Sequence, residues 1–161
     1  MNLIASLLSS DNVLVDLEAS SKKRVFEQAG LIFENNQDIG RSTVFDSLFA
    51  RERLGSTGLG QGVAIPHGRI KGLKEATGAV IRLSTPIPFD APDGKPVDLL
   101  FVLLVPEQAT EQHLQLLSEL AQLFSDSEFR DRVHHASDAA AVHALFTTWG
   151  AHAPDQRQPP L

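Results

Sequence analysis

His67 closes a run that reads Gly55-Ser56-Thr57-Gly58-Leu59-Gly60-Gln61-Gly62-Val63-Ala64-Ile65-Pro66-His67-Gly68. A neutral imidazole is a good nucleophile near neutral pH, and one of its nitrogens can attack a phosphoryl group. The phosphohistidine so formed would bear more than one negative charge, by analogy with other phosphorylated residues, and that charge needs donors close by. Backbone N–H groups at Gly58, Gly60 and Gly62 can supply them without side-chain obstruction, which makes these glycines, with Ser56 and Thr57, candidate phosphate-binding residues. Arg51, Arg53 and Arg69 bracket the run and offer planar guanidinium groups suited to phosphate oxygens. His113 falls in the first turn of a helix predicted from Thr110, where free N–H groups and the helix dipole favour anions.

Two other readings compete for the glycine run. A P-loop needs a lysine after its last glycine, and none follows here. The dinucleotide pattern GxGxxG needs a strand before and a helix after, whereas these evenly spaced glycines follow a helix and precede a strand. A plain helix-to-strand turn is the simplest alternative, since glycine permits positive φ and close backbone approach. Such a turn requires neither this many glycines nor a histidine at a strand end, where a rigid sheet can present it for chemistry.

The other histidines read as structural. Adjacent residues on a helix diverge, so His134 and His135 make a poor metal pair, and no cysteine or carboxylate set completes a site. His143 is a surface or packing residue and His152 lies in the tail. Taken by themselves, Arg51 is either a phosphate clamp or part of a solvated helix end, and His113 is a solvated helix-start histidine. Arg53 lies two residues from Arg51 and cannot share its helical face.

The elements that must position these groups follow from periodicity. Val13–Leu17 reads as a strand. Ser20 or Ser21 caps a helix with Val25, Ala29, Ile32 and Phe33 inward, ended by Asn35-Asn36. A second helix opens at Ser42 or Thr43, buries Val44, Phe45, Leu48 and Phe49, and stops at Gly55. Val63-Ala64-Ile65 is a buried strand that Pro66 ends or places at an edge. Residues 77–83 form another strand, followed by a proline-rich connection with its turn at Asp93-Gly94. The unbroken apolar run Leu99–Val105 predicts a central strand covered on both faces. Three helices follow: one from Thr110 with Leu114, Leu117, Ala121 and Phe124 on one stripe, one capped by a Ser125/Glu128 box, and one from Ser137 with Val142, Leu145, Phe146 and Trp149 inward. The mixture predicts a layered α/β domain over residues 1–150, with residues 151–161 a disordered tail.

Composition sets the outer bounds. The chain has 161 residues, a formal net charge of -6 and no cysteine. Disulfides, thiolate metal sites and cysteine nucleophiles are thereby excluded. An acidic chain argues against a nucleic-acid surface. No apolar run reaches membrane-spanning length and the start shows no signal-peptide pattern, so a cytoplasmic protein without membrane insertion is expected.

At this point the sequence resembles a known family. Arg51-Glu52-Arg53-Leu54-Gly55-Ser56-Thr57-Gly58-Leu59-Gly60, with Gly62-Val63-Ala64-Ile65-Pro66-His67-Gly68-Arg69, is similar to the active-site signature of the IIA domains of the phosphoenolpyruvate-dependent phosphotransferase system, fructose/mannitol superfamily. Residues 86–91, residues 96–101 and His113-Leu114 resemble its nitrogen-regulatory branch, and the likeness runs from about Leu14 to Phe146. Gln61 departs from the asparagine usual there. The resemblance implies a three-layer α/β/α sandwich with a mixed β-sheet. It implies that His67 accepts phosphate from an HPr-like carrier protein, itself charged by an Enzyme I paralogue, and that Arg51 and His113 share that site. The implied output is regulation of partner proteins such as transporters, sensor kinases or other nitrogen, carbon and potassium regulators. No cofactor is implied. A sugar-specific IIA unit passing phosphate to a IIB partner, and a binding module that has lost the chemistry, are the alternatives.

Overall fold

A computed structural model of the chain describes residues 2–108 and 110–157, with the backbone alone for Thr110 and 151–157. After a 3-10 turn over Leu3–Ser6 come β1 (Leu8–Leu17), α1 (Lys22–Gln37), α2 (Arg41–Glu52), β2 (Gly58–Gly60), β3 (Val63–Ala64), β4 (His67–Ile70), β5 (Thr77–Ile87), β6 (Val97–Pro106), α3 (Thr110–Ser125), α4 (Ser127–His135) and α5 (Ala139–Arg157). The strands form one mixed sheet in the order β1-β5-β6-β3-β2, with β4 also paired to β6. β5 and β6 are antiparallel, whereas β1 is parallel to β5, and β3 and β4 are parallel to β6.

β6 explains the layering. Leu99 through Val105 are all fully buried. Because strand side chains alternate, Leu99, Phe101, Leu103 and Val105 enter one core while Leu100, Val102 and Leu104 enter the other. The first core is closed by α3, α4 and α5, where Phe146 meets Phe129 at 5.0 Å and Phe101 at 5.9 Å between ring centroids. The second is closed by α1 and α2 through Val25, Phe26, Phe33, Val44 and Leu48. The result is the three-layer α/β/α sandwich.

Several boundaries differ from the sequence reading. β1 starts at Leu8 rather than Val13, because a register shift lets the polar residues between them bulge while Leu8 still pairs with Gly78. α1 continues past Asn35-Asn36 to Gln37 and stops at Asp38, which adopts the left-handed conformation with φ 58°. Asn36 instead donates to the Asp11 carbonyl and to Asn12. α2 begins at Arg41, and the Glu34 carboxylate of α1 accepts the Arg41 N–H at 3.0 Å, a role expected of Ser42 or Thr43. The N-cap of α4 is Asp126, which accepts from the N–H groups of Glu128 and Phe129, while the Ser125 hydroxyl turns back to the Gln122 carbonyl. Asp138, not Ser137, accepts the Ala141 N–H at the start of α5. The side chain of Thr110 and the expected tail over 151–161 fall outside the residues whose side chains are described.

The glycine run is a hairpin rather than a single turn. Gly58–Gly60 and Val63–Ala64 pair antiparallel around a tip at Gly60, Gln61 and Gly62, with φ of 89°, 59° and 80°. Glycine suits two of these left-handed positions. As expected, the strand ends before Pro66: β3 stops at Ala64, the Pro66 carbonyl accepts from Leu103 N–H at 2.9 Å, and pairing with β6 resumes in β4 at His67.

Candidate active site

His67 is the first residue of β4 and lies beside β6 opposite Leu103. Its Nδ1 sits 2.8 Å from the carbonyl oxygen of Ile65. A carbonyl only accepts, so Nδ1 holds the proton and the lone pair resides on Nε2. Along β4 the side chains alternate. Gly68 faces Ser47 of α2 and Ile70 enters the α1/α2 core, which directs His67 and Arg69 to the opposite face.

His113, in the first turn of α3, meets His67 edge to face with ring centroids 5.1 Å apart. Its Nε2 is buried and has no hydrogen-bond partner. Both imidazoles are held below their usual pKa, chiefly because burial disfavours the charged ring. For His67 the Ile65 carbonyl pushes the other way, Arg51 lowers the value further and Glu52 raises it. For His113 the remaining influences, from His67, Arg69 and Arg51, all lower it. The surroundings disfavour added positive charge and would welcome an anion.

Arg51 and Arg69 supply that field from two elements. Arg51, in the last turn of α2, donates through Nη1 to the Gly55 carbonyl at 2.9 Å. Arg69 donates through Nη1 to the Glu107 carbonyl at 2.8 Å. Each guanidinium is pinned by one N–H and keeps the rest of its donor fork for other acceptors. The groups line an open hollow of about 680 Å³ bounded by Asp46, Ser47, Ala50, Arg51, Leu54, His67, Gly68, Arg69 and His113. Leu54 is 85% exposed at its rim, and Leu114, next to His113, is 63% exposed.

The structure thus brings together His67, His113, Arg51 and Arg69. It sends the other candidates elsewhere. Thr57 directs both of its donors into the protein, its N–H and hydroxyl reaching the Glu52 carboxylate at 3.1 and 2.6 Å. The Ser56 hydroxyl donates to the Phe89 carbonyl at 2.6 Å. Gly58 packs against Ala91, so closely that an added Cβ would come within 2.9 Å of the alanine methyl. Gly60 and Gly62 face the carboxylates of Asp93 and Asp98, and Asp93 accepts the Gln61 N–H at 2.9 Å. A tip already facing two carboxylates is no anion cradle, and these five residues stay out of the proposed site.

Sequence reasoning missed Ser47, Asp46 and Ala50. The signal was the flank of α2 beside Val44 and Leu48, where Ser47 and Arg51 stand four residues apart. Outside the hollow, His134 bridges α4 to β6, its Nε2 2.9 Å from Asp98 and its Nδ1 2.8 Å from the Arg130 carbonyl. His143 ties α5 to the Leu8 carbonyl of β1 at 2.9 Å.

A sheet edge where two imidazoles and two guanidiniums converge defines a protein equipped to hold an anion beside a nucleophilic nitrogen. The family model described as "Phosphoenolpyruvate-dependent sugar phosphotransferase system, EIIA 2" matches residues 6–149, and the chain belongs to that family. It is 46% identical over 143 residues to a nitrogen regulatory protein of Pseudomonas aeruginosa, covering 88% of this chain and 93% of the relative. The nitrogen regulatory protein of Escherichia coli K12 is 36% identical over 145 residues, covering 89% of each. Among solved structures, Nitrogen Regulatory Protein IIA-Ntr from Neisseria meningitidis superposes with a TM-score of 0.86 at 54% identity, covering 91% of this chain and all of that one. The mannitol IIA of Escherichia coli, solved in complex with a phosphorylated mannitol IIB, shares the fold with a TM-score of 0.73 at 19% identity, covering 87% of this chain and 98% of that one. Among the described residues, no helix is long and apolar enough to cross a membrane.

Proposed function

We propose that the protein is a phosphohistidine carrier with a regulatory output, and that Nε2 of His67 is the acceptor. The observation that supports this best is the hydrogen bond from His67 Nδ1 to the Ile65 carbonyl, which leaves the Nε2 lone pair available in a hollow flanked by Arg51, Arg69 and His113. Nε2 attacks the phosphorus of a phosphorylated HPr-like carrier. The new N–P bond forms as the donor's own N–P bond breaks, and the donor nitrogen keeps the electron pair. The Nδ1 proton stays on His67, so the ring gains positive charge that the Ile65 carbonyl stabilises. Arg51 and Arg69 offset the charge on the equatorial oxygens in flight, and His113 Nε2, when protonated, donates to one of them.

Catalysis here is positioning and electrostatics with no cofactor in the step. The added group changes the local potential over a surface that includes Leu54 and Leu114, which alters partner choice. The regulatory reading is supported by the relatives named nitrogen regulatory protein. A relay that starts from phosphoenolpyruvate places the protein in the cytoplasm.

The test is acid-labile phosphorylation followed by intact mass, with phosphoenolpyruvate, the Enzyme I paralogue and the HPr-like carrier. One phosphoryl group on the wild type and none on His67→Ala is the expected result. Labelling that persists in His67→Ala overturns the acceptor assignment, and no label on either form favours a binding module. Onward transfer to a purified sugar-specific IIB would move the output from regulation to transport.

A further inference from the structure

Glu52 is an acidic residue at the end of a helix, yet it is only 7% exposed. Burying a carboxylate is costly unless it is paired and hydrogen-bonded. Both oxygens are in fact occupied. Oε1 accepts the Thr57 hydroxyl at 2.6 Å, and Oε2 accepts the Thr57 N–H at 3.1 Å and Lys22 Nζ at 2.9 Å. Lys22 opens α1 and lies over the Phe89 ring, 4.5 Å from its centroid. One carboxylate therefore ties together the end of α2, the approach to β2 and the start of α1.

What it encloses matters more. The Glu52–Thr57 bonds close the loop through residues 53–56, and that loop contains the Gly55 carbonyl to which Arg51 Nη1 donates. Arg51 is also the residue immediately before Glu52. Its backbone and the anchor of its guanidinium are thus both fixed by the same carboxylate. Glu52 also raises the pKa of His67, but Thr57 and Lys22 have no other part in the mechanism, and none of the three lines the hollow.

We infer that Glu52, Thr57 and Lys22 are positioning residues for Arg51: they staple the loop that aims its guanidinium at the group bound to His67. This rests on the phosphoacceptor reading above. Thr57 then serves the site through Arg51 and touches no phosphate itself. Arg51 is a long side chain on a solvent-facing helix end, and without the staple it would sample many rotamers, weakening transition-state contact.

The test measures single-turnover transfer from the phosphorylated HPr-like carrier in wild type, Thr57→Val, Thr57→Ser, Arg51→Ala and the Thr57→Val/Arg51→Ala double variant. Thr57→Val is expected to slow transfer roughly ten- to hundredfold, the scale of a small misplacement of a catalytic group. Thr57→Ser, which keeps the hydroxyl, should restore most of the rate. In the Arg51→Ala background Thr57→Val should add little, because the two act as one unit. Equal losses in both backgrounds, or no rescue by serine, would overturn the inference. Lys22→Met, which removes the more exposed partner of Glu52, carries the same cycle if Thr57→Val does not fold.

A second readout does not depend on the relay. The Arg51 Nε–H resonance should be sharp and shifted in wild type and averaged in Thr57→Val or Lys22→Met. An unchanged resonance overturns the positioning role even if transfer is seen. An unlabelled wild type whose Arg51 resonance still responds would sink the phosphoacceptor reading and leave the staple standing as a structural device.

Discussion

At the scale of single residues, three histidines pull the pH dependence of stability in opposite directions. His67 and His113 have depressed pKa values in the folded protein, mainly from burial, whereas the bond to Asp98 raises that of His134. For the first pair the unfolded chain binds protons more readily, so their contribution is complete above about 6.5 and is lost as pH falls through the folded values. For His134 the folded chain holds the proton, so its contribution is complete below about 6.5 and is lost as pH rises through the raised value. His134→Gln should therefore remove the decline on the alkaline side and leave the acid-side decline intact. Denaturant midpoints across a pH series measure both limbs, and an unaltered alkaline limb would show that the Asp98 pair contributes nothing.

At the scale of elements, the contact between α2 and β4 sets how far Arg51 stands from His67. The Ser47 hydroxyl donates to the Arg69 carbonyl at 2.9 Å, and a Cβ placed on Gly68 would meet Ser47 Oγ, its Cβ at 3.1 Å and its backbone carbon at 3.2 Å. A helix backbone cannot yield like the end of a flexible side chain. Gly68→Ala should lower stability by about 1–3 kcal/mol, the usual range for overpacking. It should also slow phosphoryl transfer, because α2 must move away from the strand. Equilibrium unfolding beside single-turnover kinetics checks both, and a variant as stable and fast as wild type would show the contact to be slack.

Elements were legible where the signal is local. The unbroken run of β6 announces a strand buried on both sides, and Ser21 before Lys22 announces a cap. The start of α2 was not legible, because its capping carboxylate, Glu34, belongs to another helix. The Asp126 cap was hidden beside Ser125, a residue of equal capping ability. At the site, the histidine and arginines were legible as types. That His113 meets His67 is a matter of tertiary arrangement, and only the family resemblance anticipated it. The glycines misled because a hairpin tip and an anion cradle draw on the same backbone freedom.

At the scale of the whole molecule, stability should be graded outward from β6. The strands β5 and β6 run antiparallel between two cores, whereas the β2–β3 hairpin tip is held through Asp93 and two short strands. Amides of residues 80–82 and 99–105 should exchange most slowly with solvent, and those of 60–62 among the fastest. Hydrogen exchange by mass spectrometry or NMR reads this gradient directly. Equal protection of the hairpin tip and β6 would contradict it.

His67 stands at the edge of the sheet where the two outer layers come closest to sharing a ligand. Arg51 arrives from the α1/α2 layer and His113 from the α3 layer, and β4 runs between them. On the proposed function, a phosphoryl group gripped from both sides would act as a rivet joining one half of the sandwich to the other. The marked and unmarked proteins would then differ in stiffness as well as in charge, and a partner resting on either outer face could sense the mark without ever touching it.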